Sequence, residues 1–334
     1  MDPEGEFSRL RTVSDLIKVI GRRLAELKAM FGRSTNLPVY CCELGVELKS
    51  PPMLSMALIQ TVRPTRNDFT LHGAELASAP FRPVHRGHLA AMLRLTYEHL
   101  TLRPSFEKKS VVDLVVLPEL SVHPNDLDLV ERFIDATQAI VFCGLAFFRS
   151  ARRGGLVNSG LWLVPERRRS GRSIRRLLQG KQHLTEEEAS IGVLPHRPHQ
   201  YLLKIQGQAK KKPFVISAAI CYDATDLKLA ADLRDHTDML IVAANNKDVS
   251  TFDTMAAALS WHMFQHVAIV NSGEFGGTVL NAPYKERHER VLKHDHGGLQ
   301  AAISIIEVDL SDYQRMRERP AKKLKSPPAG FSRH

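Results

Sequence analysis

Long apolar runs, cysteines and aromatic residues are all scarce in this chain, and each scarcity narrows what it can be. No apolar run approaches the ~18 residues a membrane-spanning helix needs, and no charged, apolar, small-residue leader opens the chain. Neither a membrane span nor a secretion signal is expected. Four cysteines in 334 residues, without framework spacing, argue against a disulfide scaffold and for a reducing, cytoplasmic setting. Histidines at ligand-like spacing exist, as His294-Asp295-His296 and as His262 with His266, expected together on a helix over 255–265. Neither pair is joined by a signature such as H-E-x-x-H, so no metal and no cofactor is expected. Cys41, Cys42 and Cys143 read as structural.

Acidic residues are the minority charge: 36 Asp and Glu against 46 Lys and Arg give a net charge of +10. The excess is concentrated, with nine arginines and one acid, Glu166, between Arg149 and Arg176. A basic stripe of this kind attracts phosphates by ion pairing and counterion release, which makes nucleic acid a candidate partner. No aromatic interleaving or recognition motif accompanies the arginines, and a solvated Arg-rich loop is the alternative.

What the chain does have is 43% apolar content over a length that can bury one large core. Strands are expected at 54–62, 111–117, 139–147, 158–164, 214–220, 238–244, 266–271 and 301–309. Helical spacing appears between them, in Leu89-Met92-Leu93-Leu95-Thr96 and in Leu127-Val130-Phe133-Ile134. Alternation of this sort implies a layered α/β architecture.

Three short segments carry the chemistry: Leu117-Pro118-Glu119-Leu120, Lys181-Gln182-His183-Leu184-Thr185-Glu186-Glu187-Glu188, and Ala219-Ile220-Cys221-Tyr222-Asp223. A thiol attacks as thiolate and needs a neighbouring base or cation to become reactive near neutral pH. A carboxylate buried beside the sulfur, Glu119, has its proton affinity raised and can take the thiol proton. Lys181 can restrain that carboxylate and meet an oxyanion, with the Tyr222 backbone N–H as second donor. Lys204, 17 residues before Cys221, is the rival lysine and lacks the acidic run that follows Lys181.

These blocks resemble the nitrilase, or carbon–nitrogen hydrolase, superfamily, whose members carry Glu, Lys and Cys in that chain order. Val115-Val116-Leu117-Pro118-Glu119, Lys181-Gln182-His183-Leu184 and Ile220-Cys221-Tyr222-Asp223 match in turn, with Lys181 lying 62 residues after Glu119 and 40 before Cys221. The likeness spans about Met53 to Leu310 and takes in Asn158-Ser159-Gly160-Leu161-Trp162, which looks like the family's "N-S" strand. An arginine-rich stretch, 167–172, replaces the usual short hairpin before the lysine. The resemblance implies an α-β-β-α sandwich, a small-molecule amide or nitrile substrate, and a homodimer or higher homo-oligomer. It also implies a second glutamate after the lysine, Glu188 or Glu187, and pocket residues Asn245, Asn246 and Phe252 after a strand.

Three regions follow: a leader and helical extension over 1–50, a hydrolase domain over 51–312, and a flexible basic tail over 313–334. Met1–Phe7 reads like a vector-derived leader, and the spacing from Val13 to Phe31 predicts a helix capped by Ser14. Such domains occur as carboxy-terminal fusions, including to bacterial reverse transcriptases, so that helix suits either docking or the tail of a preceding domain. The expected activity is thiol-dependent hydrolysis of nonpeptide C–N bonds, amidase rather than nitrilase. Acyl transfer to an amine at the same site, and a catalytically quiet scaffold or nucleic-acid module, are the alternatives.

Overall fold

A computed structural model of the chain describes residues 12–30, 38–102, 112–151, 153–168, 171–206, 213–311 and 323–331. The leader Met1–Phe7, Phe31, Arg152, Arg169 and the stretch 312–322 lie outside the described residues.

Two sheets organise the molecule. The first contains β2 (Met53–Gln60), β3 (Leu114–Val116), β4 (Ile140–Ser150), β5 (Gly155–Arg168), β6 (Gly171–Gly180) and β13 (Ala302–Asp309), in the order β13-β2-β3-β4-β5-β6. The second runs β1-β7-β8-β9-β10-β11-β12, from β1 (Val39–Glu47), β7 (Gln200–Gln206), β8 (Phe214–Ile220), β9 (Met239–Ala243), β10 (His266–Val270), β11 (Thr278–Asn281) and β12 (Val291–Asp295). Each has a parallel centre: Met56, Leu114 and Ile140 align across β2, β3 and β4, and Ile220, Ala243 and Val270 across β8, β9 and β10.

The alternation of side chains along a strand builds the layers. In β2, Leu54, Met56 and Leu58 join the core shared with the second sheet, while Ala57 and Ile59 join the core beneath the helices. The same split recurs in β4, with Ile140 and Phe142 against Val141 and Cys143, and in β5, with Trp162 and Val164 against Leu161 and Leu163. Helices α3 (Arg82–Leu102) and α4 (Leu127–Thr137) cover the first sheet through Leu89, Met92, Leu93, Val130, Phe133 and Ile134. Helices α6 (Leu227–Leu233) and α7 (Val249–His262) pack on the second through Leu229, Leu233, Phe252, Ala256 and Leu259. The result is the expected α-β-β-α sandwich.

All eight expected strands are present; five others, β1, β6, β7, β11 and β12, are additional. β1 pairs in parallel with β7, aligning Tyr40 with Tyr201, so the sheet reaches into the segment expected to stand outside the domain. The arginine-rich stretch is not a solvated loop. β5 and β6 form a long hairpin in which Arg168 aligns with Gly171. Carboxylates partner several arginines of the stretch: Arg149, on β4, with Glu75 at 3.2 Å, Arg175 with Glu166 at 2.5 Å, and Arg176 with Glu131 at 2.7 Å.

Helix α1 (Val13–Met30) is where it was expected, but its first turn is capped by Thr12, which exchanges hydrogen bonds with Asp15, rather than by Ser14. Val13, Ile17 and Ile20 on it are exposed. The tail is anchored where it is described: Leu324 is buried with Phe264 and Tyr284, and Lys325 N–H donates to Pro283 O at 2.9 Å. His262 ends α7 and His266 opens β10, so the two do not share a helix.

Two histidines are fully buried. His85 donates from Nε2 to Ser121 O at 3.0 Å, its Nδ1 has no partner among the described residues, and burial pulls its pKa down to about 4. Burial pulls His266 down to about 3. Both folded pKa values lie below the unfolded value of ~6.5, so the unfolded chain binds the extra protons and stability is lost as pH falls from ~6.5 towards 4. Down to pH 5 the expected loss is on the order of 2 kcal/mol per histidine. Urea unfolding at pH 7.5 and pH 5 measures it, and His85→Gln should remove about half of the difference, leaving the His266 share.

Candidate active site

The parallel strands end at one place, and three side chains leave from those ends. Glu119 follows β3 after Leu117-Pro118, Cys221 follows β8 directly, and Asn245 follows β9. Ligand sites in open α/β sheets gather at the carboxyl ends of parallel strands because the chain splays apart there. Lys181 arrives from β6 on the antiparallel side of the first sheet.

The Glu119 loop lies tight against β4. Leu117 N–H donates to Phe142 O at 2.9 Å, Gly144 N–H to Pro118 O at 3.0 Å, and Val122 N–H to Gly144 O at 3.0 Å. A methyl group on Gly144 would sit 2.3 Å from Glu119 Cα, so glycine is what admits the loop. Leu120 has φ +60, the left-handed region that costs a non-glycine residue about 1–2 kcal/mol. Cys221 shares that strain, at φ +43, where β8 turns into a short 3-10 segment, Cys221–Thr225. Strained residues next to functional groups are held by their surroundings.

The floor is a buried polar network. Lys181, 1% exposed, donates to Glu119 Oε1 at 2.8 Å and to Glu188 Oε2 at 2.7 Å. Asn158 Nδ2 bridges the same two carboxylates, at 2.7 Å from Glu119 Oε1 and 2.6 Å from Glu188 Oε1. Its carbonyl oxygen accepts the Lys181 N–H at 3.0 Å, while its Oδ1 is buried without a partner among the described residues. Cys221 lines the base of the same cavity, where the charges of Glu119 and Lys181 act on its thiol.

Electrostatics follow from one ammonium serving two carboxylates. Burial, together with the Glu188 charge, lifts Glu119 above the ordinary carboxylate range, against the opposing pull of Lys181. Burial works against the Lys181 charge, yet Glu119, Cys221 and Glu188 outweigh it and hold the ammonium above the usual lysine range. Burial, then the adjacent Glu119, pushes the Cys221 thiol up, so it rests neutral.

Two clamps hold the lysine loop. Asp223 accepts the N–H groups of Gln182 and His183, the latter at 2.7 Å, and faces Arg197 at 3.4 Å. Glu188 sits in a capping box with Thr185 at the start of α5 (Glu186–Ser190): Thr185 N–H donates to Glu188 Oε2 at 2.9 Å and Glu188 N–H to Thr185 Oγ1 at 3.2 Å.

Above the floor opens a cavity of about 320 Å³. Glu119, Lys181, Glu188, Cys221 and Asn245 line its base, and Glu187 reaches its rim, where it pairs with Arg66 and, at 3.8 Å, Lys247. The other expected residues lie elsewhere. Lys204 faces Glu43 at 3.7 Å on β7, Phe252 is buried on α7, and Asn246 bonds Asn271 and Asp248. The Tyr222 side chain is exposed, while its backbone follows the sulfur. Asn158 was not assigned a role from sequence. The pattern Thr185-x-x-Glu188 was the available signal for choosing Glu188 over Glu187. Among the described residues no acidic, histidine and cysteine cluster suits a metal ion, and all four cysteines are free thiols.

No protein-family model matches the sequence, and no curated protein matches it. Solved structures do. Nit3 of Saccharomyces cerevisiae, a member of branch 10 of the nitrilase superfamily, is 14% identical over 80% of this chain and 94% of its own, with a TM-score of 0.57. XC1258 of Xanthomonas campestris, a CN-hydrolase superfamily protein, is 16% identical over 80% and 95%, with a TM-score of 0.53. An amidase from Nesterenkonia sp. is 14% identical over 80% and 94%, also at 0.53. The chain therefore has the fold of nitrilase-superfamily proteins.

Gly144→Ala tests the close approach at Glu119. It should lower stability by on the order of 1–3 kcal/mol through overpacking, whereas Gly87→Ala, on α3 with nothing within 4 Å, should be neutral or stabilising. Thermal unfolding of both variants makes the comparison.

Proposed function

We propose that the protein is a thiol-dependent hydrolase of nonpeptide carbon–nitrogen bonds, acting on amides through Glu119, Lys181 and Cys221. The observation that carries this reading is the convergence of three residues, separated by 62 and 40 positions, at the base of one cavity, with Glu119 and Lys181 joined in a buried ion pair. The chemistry of the group supports it, and so does a fold shared with carbon–nitrogen hydrolases.

Glu119 takes the Cys221 proton as the sulfur attacks the amide carbon. Lys181 uses two of its three N–H donors on Glu119 and Glu188, which leaves the third for the developing oxyanion. The Tyr222 N–H, at the opening of the 3-10 segment where leading amides have no partner within the turn, is the second donor. The proton on Glu119 passes to the nitrogen, the C–N bond breaks, and ammonia or an amine leaves a thioester on Cys221. Water, deprotonated by Glu119, then releases the acid and restores the thiol. An amine in place of water would make the same site an acyltransferase. Glu188 is the fixed partner of Lys181, and Asn158 positions both carboxylates.

A nucleic-acid role for the basic stretch is weakened by the carboxylate partners of Arg149 on β4 and of Arg175 and Arg176 on β6. Self-association, implied by the resemblance, accompanies the hydrolase reading as part of the proposal.

Acid-quenched protein exposed to a mixed amide library should carry an acyl mass on Cys221, lost in Cys221→Ala. Glu119→Gln should slow ammonia release by roughly 10²–10⁴-fold. Because Glu119 must be ionised to accept the proton and its pKa is raised, the acid limb of kcat/KM should fall at a pH above the ~4.3 of an ordinary glutamate. A limb at or below that value would count against Glu119 as base.

A further inference from the structure

The cavity walls and the polar atoms around Cys221 differ in kind, and together they describe a substrate. Phe69 and Phe147 face each other there with ring centroids 5.7 Å apart and planes at 59°. Leu120 and Ala74 belong to the same apolar cluster, and Ile191 extends it at the opening. A volume of about 320 Å³ falls at the low end of small-molecule sites, roughly 300–1,000 Å³, and suits one compact acyl chain.

The charges are unfavourable to an acidic acyl group. Glu119, Glu187 and Glu188 line the cavity against Lys181 and Arg66. Lys181 is committed to Glu119 and Glu188, and Arg66 is paired with Glu187, which also faces Lys247. A carboxylate on the substrate would meet three carboxylates against two lining cations already ion-paired, with the remaining Lys181 N–H directed to the oxyanion.

Around the sulfur the unmet need is for a hydrogen-bond donor. Asn245 lines the cavity, and its Oδ1 is buried with no partner among the described residues. Its neighbour is fixed: Asn246 N–H donates to Asn271 Oδ1, and Asn271 Nδ2 donates to Asn246 O, both at 2.8 Å. The backbone is thus held while the Asn245 carboxamide turns about its soft terminal torsion to accept an N–H. A primary amide brings two such hydrogens on its nitrogen. A nitrile brings none.

Building on the hydrolase reading, we propose that the substrate is a primary carboxamide with an uncharged, apolar acyl group, arylacetyl or branched alkyl in character. Phe69, Phe147, Leu120 and Ile191 select the acyl group, and Asn245 Oδ1 receives an N–H of the departing nitrogen. In balance, the thiol and the amide give the thioester and ammonia. Water then gives the carboxylic acid and the free thiol.

The test uses the full chain and four compounds: phenylacetamide, acetamide, succinamic acid and phenylacetonitrile. Ammonia release and the mass of the Cys221 adduct are both read. Phenylacetamide should exceed acetamide and succinamic acid in kcat/KM by about tenfold or more, the scale on which apolar pockets discriminate. Phe69→Ala, at a half-buried position that folding should tolerate, should narrow the first ratio mainly through KM. Asn245→Leu, close in volume, should lower the ratio of phenylacetamide to phenylacetonitrile by roughly tenfold, since a site built to bond an N–H rejects analogues lacking one. A preference for succinamic acid, or a nitrile handled as well as its amide, overturns this proposal and leaves the hydrolase standing. No Cys221 adduct from any of the four overturns both.

Discussion

A single ammonium between two buried carboxylates is the interaction on which the rest of this structure depends. Lys181, Glu119 and Glu188 are each almost wholly removed from solvent, and any one of them alone would be too costly to bury. Together they are tolerable because every charge has a partner at hydrogen-bond distance, and because removing one partner leaves an uncompensated charge, typically a loss of ~3–5 kcal/mol. The surroundings enforce the geometry. Asn158 spends both amide hydrogens on the carboxylates and its backbone carbonyl on the Lys181 N–H, at the cost of an Oδ1 with no partner among the described residues. Asp223, two residues from the sulfur, grips the two amides that follow the lysine.

The fold explains why these groups can meet at all. Glu119 and Cys221 stand at the ends of parallel strands in opposite sheets of the sandwich, and Lys181 stands at the end of a hairpin strand. Each exit is sharp. Leu120 and Cys221 take left-handed backbone angles, and glycines give clearance at the neighbouring crossings. A methyl on Gly144 would strike Glu119, and one on Gly180, beside Lys181, would fall 1.4 Å from His196 O. The same backbone that closes the sheets therefore carries the strain that aims the side chains.

How much of this could be read from the residues depended on whether a local pattern carried it. Strands buried on both faces, such as Met53–Gln60 and Ile140–Ser150, announce themselves as continuous apolar runs between turn signals. Strands β1 and β6 do not. Val39–Glu47 is an edge strand with mostly exposed or half-exposed positions, and Gly171–Gly180 carries Arg172, Arg175 and Arg176 on a hairpin whose stability comes from pairing with β5. At the site, residue type and order singled out Glu119, Lys181 and Cys221 as candidates. Glu188 was masked by a run of three glutamates, and its one local signal was the capping-box spacing from Thr185 that turns it inward and leaves Glu187 at the rim. Asn158 lay beyond reach for a different reason: its work is to touch two residues 39 and 30 positions away, which no spacing rule encodes. The described part of the tail is seated rather than free, because one leucine, Leu324, is enough to hold a polar segment when a slot lined by Phe264 and Tyr284 awaits it.

Charge bookkeeping distinguishes this site from one that keeps a standing thiolate. A resting thiolate needs a surplus of positive charge beside it, as an imidazolium or a helix terminus supplies. Here the surplus is negative, one cation for two carboxylates, and burial, with Glu119 beside it, pushes the thiol up rather than down. On the proposed mechanism this is no obstacle, because the proton only moves from sulfur to Glu119. Negative charge leaves the carboxylate as it appears on the sulfur, both within the field of Lys181, and the total in a low-dielectric pocket stays constant. Moving a charge within a preorganised pair costs far less than creating one there. A neutral sulfur at rest is also the form that oxidants attack slowly, since susceptibility follows thiolate character and exposure. The arrangement thus keeps the nucleophile inert until a carbon able to accept it arrives beside the ammonium.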